Sequence, residues 1–281
     1  MAQGPPDTWP LRAQSRRQRG PVHDWYFAEA GTGPPVLLLH GAGGSLHSMQ
    51  GLFDRLVLTN HVLAVDLPGH GFTRLGAQRR SGLCTMTADV SAFCRQLEFT
   101  PKVIIGHSAG AAIALQMARD APDMRIVGIN PALGHFEGLA GVIFPAMAKL
   151  LASVPFTARL FSGASARPER IQALIDGTGS KLSQQGLDRY QTLVSREAHV
   201  AGALAMMAQW SLDDLLANLG SISNEVLFLL AENDATVPAK VGRAAAAKLP
   251  HAEVVEIAGY GHLVHEENPD LVLDHIAQFL T

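Results

Sequence analysis

The sequence has few cysteines. Its 281 residues include only two of them, Cys84 and Cys94, which lie in or beside one predicted helix. This arrangement suits neither a disulfide framework nor a metal-binding knuckle. We therefore expect a reduced, cytoplasmic protein.

Long apolar runs and an excess of basic charge are also absent. No run reaches 18 apolar residues, which argues against a membrane-spanning helix, and the first residues lack the apolar core of a secretory signal. Lys and Arg total 22 against 25 Asp and Glu, for a net charge of −3, so no nucleic-acid partner is expected. The one dense basic stretch, residues 12–19, is interpreted as solvated.

Apolar residues are plentiful, at 47% of the chain, and they are arranged in short runs without polar alternation. Such runs are typical of strands buried on both faces of a parallel sheet. They occur at residues 36–39, 62–65, 103–105, 125–129, 226–231 and 254–257. A more alternating stretch at 22–29 predicts an edge strand. Segments with helical periodicity separate these strands, so the sequence predicts a doubly wound α/β sheet.

One long interval interrupts this alternation of strands and helices. Between residues 132 and 222 the sequence has helical patterns and no convincing buried strand. An excursion of this length is too long for a loop, and we interpret it as an inserted helical cap. The predicted organisation is a first core part at 1–131, a cap domain at 132–222 and a second core part at 223–281.

The stretch Gly-His-Ser-Ala-Gly at residues 106–110 carries the first chemical signal. A Gly-x-Ser-x-Gly pattern alone is weak in a chain with 27 glycines, and a serine can simply suit a tight turn. Here, however, Ser108 follows a buried strand and precedes a helix, which is the context of a nucleophile elbow. Ser108 is therefore the predicted nucleophile.

A serine nucleophile needs a base and an acid that orients the base. In this fold the acid and then the histidine follow the serine along the chain. Asp234 comes just after the predicted strand at 226–231, and His262 follows the strand at 254–257. We predict these two as the partners of Ser108, with Glu232 as the alternative acid.

An oxyanion formed by attack on a carbonyl needs preorganised donors. We expect the backbone N–H of Ala109, the residue after the nucleophile, to be one of them. The second is expected from the loop after the first central strand, at Ala42 or, failing that, Gly43. No cysteine or histidine pair has metal-ligand spacing, and no complete dinucleotide fingerprint occurs, so neither a metal nor a cofactor is predicted.

Five segments together resemble the α/β-hydrolase superfamily: LLLHGAGGS, DLPGHG, GHSAG, AENDATVP and GYGHLVHEENP. The resemblance covers nearly the whole chain outside the predicted cap, and it implies the α/β-hydrolase fold. A narrower resemblance is carried by GHSAGAAIAL, FPAMAKLLASVPF, TGSKLSQQGLDRY and HVAGALAMMAQWSL. These segments are similar to the magnesium-chelatase accessory proteins of bacteriochlorophyll biosynthesis. That resemblance implies a role beside metal insertion into protoporphyrin.

The leading hypothesis is a serine hydrolase acting on an ester of an apolar or tetrapyrrole-related small molecule. Apolar cap residues are predicted to line the substrate pocket, although cap packing explains each one as well: Phe144, Met147, Met206, Met207 and Trp210. One alternative is a non-catalytic protein that binds tetrapyrroles or assists magnesium chelatase subunits. Another is a carbon–carbon-bond hydrolase or a cofactor-free haloperoxidase-like enzyme, since both use the same residues.

Overall fold

A computed structural model describes residues 4–77, 80–134, 162 and 166–280. Its described strands form one eight-stranded sheet in the order β1-β2-β4-β3-β5-β6-β7-β8. The strands are β1 (Ser15–Arg19), β2 (Asp24–Ala30), β3 (Pro35–Leu39), β4 (His61–Val65), β5 (Val103–His107), β6 (Arg125–Ile129), β7 (Val226–Ala231) and β8 (Ala252–Ile257). All six strands from β3 to β8 run parallel, which confirms the predicted mostly parallel sheet.

The amino-terminal edge of the sheet differs from the prediction. β2 was expected at the edge, but it pairs antiparallel with both β1 and β4. The edge strand is instead β1, within the arginine-rich stretch interpreted as solvated. The sequence of β1 is polar, so it has no apolar pattern that would predict a strand. Its arginines are held by side chains of β2: the Arg16 guanidinium lies 4.6 Å from the Phe27 ring centroid, and Arg17 forms an ion pair of 3.1 Å with Asp24.

The described helices are α1 (Gln50–Leu56), α2 (Leu83–Gln96), α3 (Ala109–Ala118), α4 (Pro168–Asp176), α5 (Gln184–Val194), α6 (Glu197–Gln209), α7 (Asp213–Ala217), α8 (Ala239–Ala246), α9 (Val264–Glu267) and α10 (Pro269–Leu280). Single 3-10 turns occupy Leu46–Met49 and Leu219–Ser221. The Asn268 carboxamide oxygen accepts the Leu271 N–H at 3.1 Å and so caps the amino terminus of α10.

The hydrophobic core lies on both faces of the sheet. One cluster packs α2 and α3 against side chains such as Leu37 and Ile104, and all of these are fully buried. A second cluster packs α1 and α10 against the other face, where Leu38 and Ile105 point. Neighbours along one strand therefore enter different clusters, which explains the absence of polar alternation in these runs.

The chain between β6 and β7 (the β6–β7 segment) contains α4 to α7. β6 and β7 are neighbours in the sheet, so the two ends of the segment join adjacent strands. A small apolar cluster of Ile171, Ile175, Leu187 and Tyr190 includes Leu263 from the core. The segment is thus packed onto the loop that follows β8. The division into a core and a cap domain stays a prediction. Among the described residues, no helix is long and apolar enough to cross a membrane.

Asn224, directly before β7, offers a test of how β6 and β7 are held. It is buried, and its Nδ2 lies 2.8, 3.1 and 2.7 Å from the carbonyl oxygens of Ala121, Pro122 and Met124. Asn224→Ala leaves these carbonyls short of donors and is expected to lower the free energy of unfolding by about 1–3 kcal/mol. Urea unfolding measures the change. Ser221→Ala, which removes one exposed bond to Asn218, should change it by less than about 0.5 kcal/mol. Equal losses of unfolding free energy in the two variants would contradict a structural role for the Asn224 side chain.

Candidate active site

Ser108 occupies the turn between β5 and α3. Its backbone lies in the left-handed region, at φ 53° and ψ −114°, which a residue with a side chain adopts rarely. The Ser108 N–H donates to the Ile129 carbonyl at 2.9 Å, so the adjacent end of β6 holds the turn in place. The strained backbone and its support are those of a nucleophile elbow.

The two glycines that flank the serine are required by close backbone packing. A Cβ on Gly106 would lie 2.4 Å from the Gly110 carbonyl oxygen, and a Cβ on Gly110 would lie 2.3 Å from the Leu39 carbonyl oxygen. Real Cβ atoms do not approach oxygen this closely. The helix therefore reaches β5 and β3 only because both positions lack a side chain.

Asp234 and His262 are joined by a hydrogen bond. Asp234 Oδ2 accepts from His262 Nδ1 at 2.7 Å, and both residues are buried. Asp234 Oδ1 accepts the N–H groups of Thr236 and Val237 at 2.8 and 2.7 Å, which fixes the carboxylate in its own loop. Because Nδ1 donates to Asp234, the neutral ring carries its lone pair on Nε2 and can accept a proton there.

The alternative acid, Glu232, is placed elsewhere. Its exposed carboxylate accepts the Gly259 N–H at 3.2 Å. The position after β6, where another acid would have been possible, is Asn130. Of these three residues, Asp234 is the one hydrogen-bonded to the His262 ring.

Two side chains without a predicted role hold the main chain at His262. His107 Nε2 and Asn130 Nδ2 lie 3.0 and 2.9 Å from the His262 carbonyl oxygen, where both can donate to it. The Asn130 Oδ1 accepts the Ala231 N–H at 2.7 Å, which ties β7 to the same network. In the sequence, the feature that could have indicated this role is a polar residue at the end of a buried strand, as at His107 and Asn130. The hydrogen-bond partners of these two side chains lie more than 100 residues away along the chain, so the sequence pattern could not predict them.

The β6–β7 segment also supports the acid and the base. The carbonyl of Thr178 accepts the N–H groups of Ala235, at 3.3 Å, and His262, at 3.1 Å. The Ser180 hydroxyl accepts the Leu263 N–H at 2.8 Å. One turn of this segment thus contacts both loops and fixes their relative position. Sequence reasoning gave this turn no role.

The loop after β3 forms a tight turn beside Ser108. The Gly44 N–H donates to the Gly41 carbonyl at 3.1 Å, and His40 Nδ1 lies 2.7 Å from the same carbonyl oxygen. A Cβ on Gly41 would lie 3.0 Å from the Ser108 Cβ, so the turn abuts the serine. Because a trans peptide is planar, holding the Gly41 carbonyl on one side turns the Ala42 N–H to the other.

The two predicted oxyanion donors are available for an external group. Within the described residues, neither the Ala42 nor the Ala109 N–H has a hydrogen-bond acceptor. In the same part of the chain, no hydrogen bond joins the Ser108 hydroxyl to His262. The ring of His107, the residue before Ser108, lies with its centroid 4.6 Å from that of the His262 ring. Catalytic hydrogen bonds often form only once substrate is bound.

The predicted pocket residues are placed unequally. Phe144 and Met147 lie outside the described residues. Met207 has 51% of its surface exposed, whereas Trp210 packs against the cluster under α2 and α3. Met206 is buried in that cluster. A role in binding substrate therefore stays a prediction for these side chains.

Burial keeps the histidines around His262 neutral. The pKa of His107 lies well below its ordinary value because the ring is desolvated, and nearby His265 and His262 lower it further. Burial also lowers the pKa of His265 to about 3. Neutral rings at these two positions add no positive charge beside His262. Among the described residues, no cluster of His, Cys, Asp or Glu could hold a metal ion.

The comparisons with known proteins agree with this geometry. The sequence model of the alpha/beta hydrolase fold matches residues 34–269, most of the chain. The chain belongs to the α/β-hydrolase family. This confirms the family resemblance drawn from the sequence.

The narrower resemblance is confirmed as well. The chain is 46% identical, over 94% of each sequence, to a protein of Rhodobacter capsulatus named magnesium-chelatase 30 kDa subunit. It is 30% identical to the pimeloyl-[acyl-carrier protein] methyl ester esterase of Xanthomonas axonopodis pv. citri, over 89% of this chain and 96% of the relative.

A solved structure shares the fold. It is an alpha/beta hydrolase fold protein from Burkholderia ambifaria, with a TM-score of 0.79 at 20% identity. The match covers 94% of this chain and 97% of that one. The α/β-hydrolase fold predicted from the sequence is therefore confirmed.

The buried histidines predict how stability depends on pH. Among the described residues, seven histidines have a pKa lowered by burial: His23, His40, His47, His70, His107, His199 and His265. The unfolded chain binds more protons at these sites below pH 6.5, so the free energy of unfolding falls as the pH falls from 6.5 to about 4. Asp66 and Glu266, whose pKa burial raises to about 7, act in the opposite sense but are only two.

One substitution isolates a single histidine. Neither ring nitrogen of His265 has a hydrogen-bond partner among the described residues. His265→Leu should flatten the loss of stability between pH 6.5 and 4 by up to about 1.4 kcal/mol per pH unit. Urea unfolding at several pH values checks this, and a slope equal to that of the wild type would contradict it.

Proposed function

We propose that this protein is a serine hydrolase that cleaves carboxylic esters. Ser108 is the nucleophile, His262 the general base and Asp234 the residue that orients it. The observation that carries the proposal is the 2.7 Å hydrogen bond from His262 Nδ1 to Asp234 Oδ2, at the end of the sheet where the strained elbow presents Ser108.

The chemistry follows from this arrangement. His262 Nε2 takes the Ser108 proton as Oγ attacks the ester carbonyl, and it returns the proton to the departing alkoxide. Water, deprotonated by the same nitrogen, then attacks the acyl–serine ester, and the nitrogen returns this proton to Ser108 Oγ as the carboxylic acid is released. Asp234 stabilises the imidazolium that forms in both steps.

The developing oxyanion would be met by the N–H groups of Ala42 and Ala109. Both lie beside Ser108, one in the Gly41–Gly44 turn and one at the start of α3. Donors that are already oriented stabilise the transition state without a cost of rearrangement when the charge appears.

The similarity to a methyl ester esterase supports ester cleavage. The higher similarity to a protein named as a magnesium-chelatase subunit supports a tetrapyrrole-related substrate in bacteriochlorophyll biosynthesis, with chelatase subunits as partners. An apolar pocket for such a substrate would use the segment between β6 and β7, including Phe144, Met147, Met207 and Trp210.

Covalent labelling tests the nucleophile. A fluorophosphonate probe is expected to form one adduct, at Ser108, located by peptide mass spectrometry, and Ser108→Ala should abolish both this adduct and p-nitrophenyl butyrate hydrolysis. A wild-type protein that stays unlabelled at high probe concentration would overturn the proposal.

The acid offers a matched pair of variants in one loop. Asp234→Asn removes the carboxylate bonded to His262 and should lower kcat by about 10³- to 10⁴-fold. Glu232→Gln, two residues away, changes a carboxylate that contacts Gly259 and should keep kcat within about threefold. Steady-state kinetics compares them. Equal losses would contradict the assignment of Asp234.

A second candidate function is binding of a tetrapyrrole, or assistance to magnesium chelatase, without catalysis. The observation that favours it is the 46% identity to a protein named as a chelatase subunit rather than as a hydrolase. In this second candidate function the α/β-hydrolase fold is retained, and the Asp234–His262 pair is not used for catalysis.

Titration with protoporphyrin and its magnesium form separates the two candidates. Binding without catalysis predicts a saturable shift in the tetrapyrrole absorption band, together with no turnover of esters. Normal ester turnover with no spectral shift would overturn this second candidate.

A further inference from the structure

α6 meets the core through an unusually close backbone contact. A Cβ on Gly202 would lie 2.0 Å from the Gly69 carbonyl oxygen, and a Cβ on Gly69 would lie 3.0 Å from the Gly202 Cα. Only glycine at Gly202 permits this approach. The contact fixes one face of α6 against the loop that follows β4.

His199, one turn earlier on α6, lies at the same contact. It is buried, and it accepts the Gly71 N–H on Nδ1 at 3.0 Å. The ring hydrogen is therefore on Nε2, which donates to the Gly43 carbonyl at 3.1 Å. Burial lowers the pKa of His199 to about 3, so the ring keeps this one-donor, one-acceptor form at neutral pH.

Gly43 belongs to the Gly41–Gly44 turn that contains the Ala42 N–H. Gly43 has a left-handed φ of 74°, and a Cβ built there would meet no atom of the described residues within 4 Å, so within that part of the chain no side-chain packing holds this side of the turn. The turn is held instead at two carbonyls. His40 lies within hydrogen-bond distance of the Gly41 carbonyl from the core, and His199 holds the Gly43 carbonyl from the β6–β7 segment.

We propose that His199 is a positioning residue for the oxyanion hole: its Nε2–H holds the Gly43 carbonyl and thereby the orientation of the Ala42 N–H. This inference rests on the proposed function for its catalytic consequence. The β6–β7 segment then contributes to transition-state stabilisation as well as to any pocket.

Two variants divide the hydrogen bonds of His199 between them. The carboxamide nitrogen of His199→Gln takes the place of Nε2 and can still donate to Gly43. The carboxamide oxygen of His199→Asn takes the place of Nδ1 and can still accept from Gly71, but nothing then holds the Gly43 carbonyl. Each variant loses one buried hydrogen bond, so a merely structural role predicts equal effects.

The kinetic expectation follows. His199→Asn should lower kcat for p-nitrophenyl butyrate about 10- to 100-fold, with KM within about twofold, because the misplaced donor matters only once charge develops. His199→Gln should retain kcat within about threefold. Ile171→Val removes one methyl group from the apolar cluster between α4 and α5, so it serves as a control for looser packing of the β6–β7 segment. This variant should leave kcat unchanged.

A second readout needs no catalysis. The Gly44 N–H donates to the Gly41 carbonyl, so its hydrogen exchange reports whether the turn is held. His199→Asn should speed this exchange at least about tenfold, and His199→Gln should not. Equal exchange in the two variants overturns the proposal, whatever their activities. If the wild type neither hydrolyses esters nor reacts with fluorophosphonate, the proposed function fails, while the exchange comparison still decides the role of His199.

Discussion

The site depends on the approach of one helix to two strands without intervening side chains. α3 contacts β5 and β3 at Gly106 and Gly110, where an added Cβ would lie within 2.4 Å of a carbonyl oxygen. Between these two close contacts Ser108 adopts a left-handed φ of 53°, the kind of strained strand-to-helix turn that exposes a serine hydroxyl in a nucleophile elbow. Every other part of the site is arranged around a serine whose backbone cannot relax. Such strain persists only where the surrounding structure overdetermines it.

The sequence predicted the sheet and the chemistry-bearing loops because both leave local signals. Unbroken apolar runs indicated the parallel strands, and Asp234 and His262 follow β7 and β8 as the carboxyl ends of those strands required. The edge strand β1 was missed because its arginines carry no apolar pattern; their partners, Asp24 and Phe27, lie on the next strand. A signal of that kind exists only once the strands are paired.

The residues that support Asp234 and His262 could not be predicted from the sequence, because their contacts also exist only in the folded chain. Nothing in the sequence around Asn130 indicates its partners: its side chain connects Ala231 to the His262 carbonyl, and both partners lie more than 100 residues away along the chain. Thr178 acts through its backbone, for which residue type gives no clue. The sequence thus indicates the candidate reactive groups, because chemistry restricts their type. It misses the groups that hold them, because a carbonyl or an amide anywhere in the chain can do so.

The turn at Thr178 has a consequence for how such a chain can vary. Its single carbonyl is shared by the loops of Asp234 and His262, and it comes from the segment that would also set substrate choice in the proposed function. Replacing the segment with that of another family member would therefore change more than the proposed pocket. A graft that did not return a carbonyl to this point would leave these two loops without their common anchor. New specificity in this scaffold is thus expected to arise by substitution within the segment rather than by exchange of the whole.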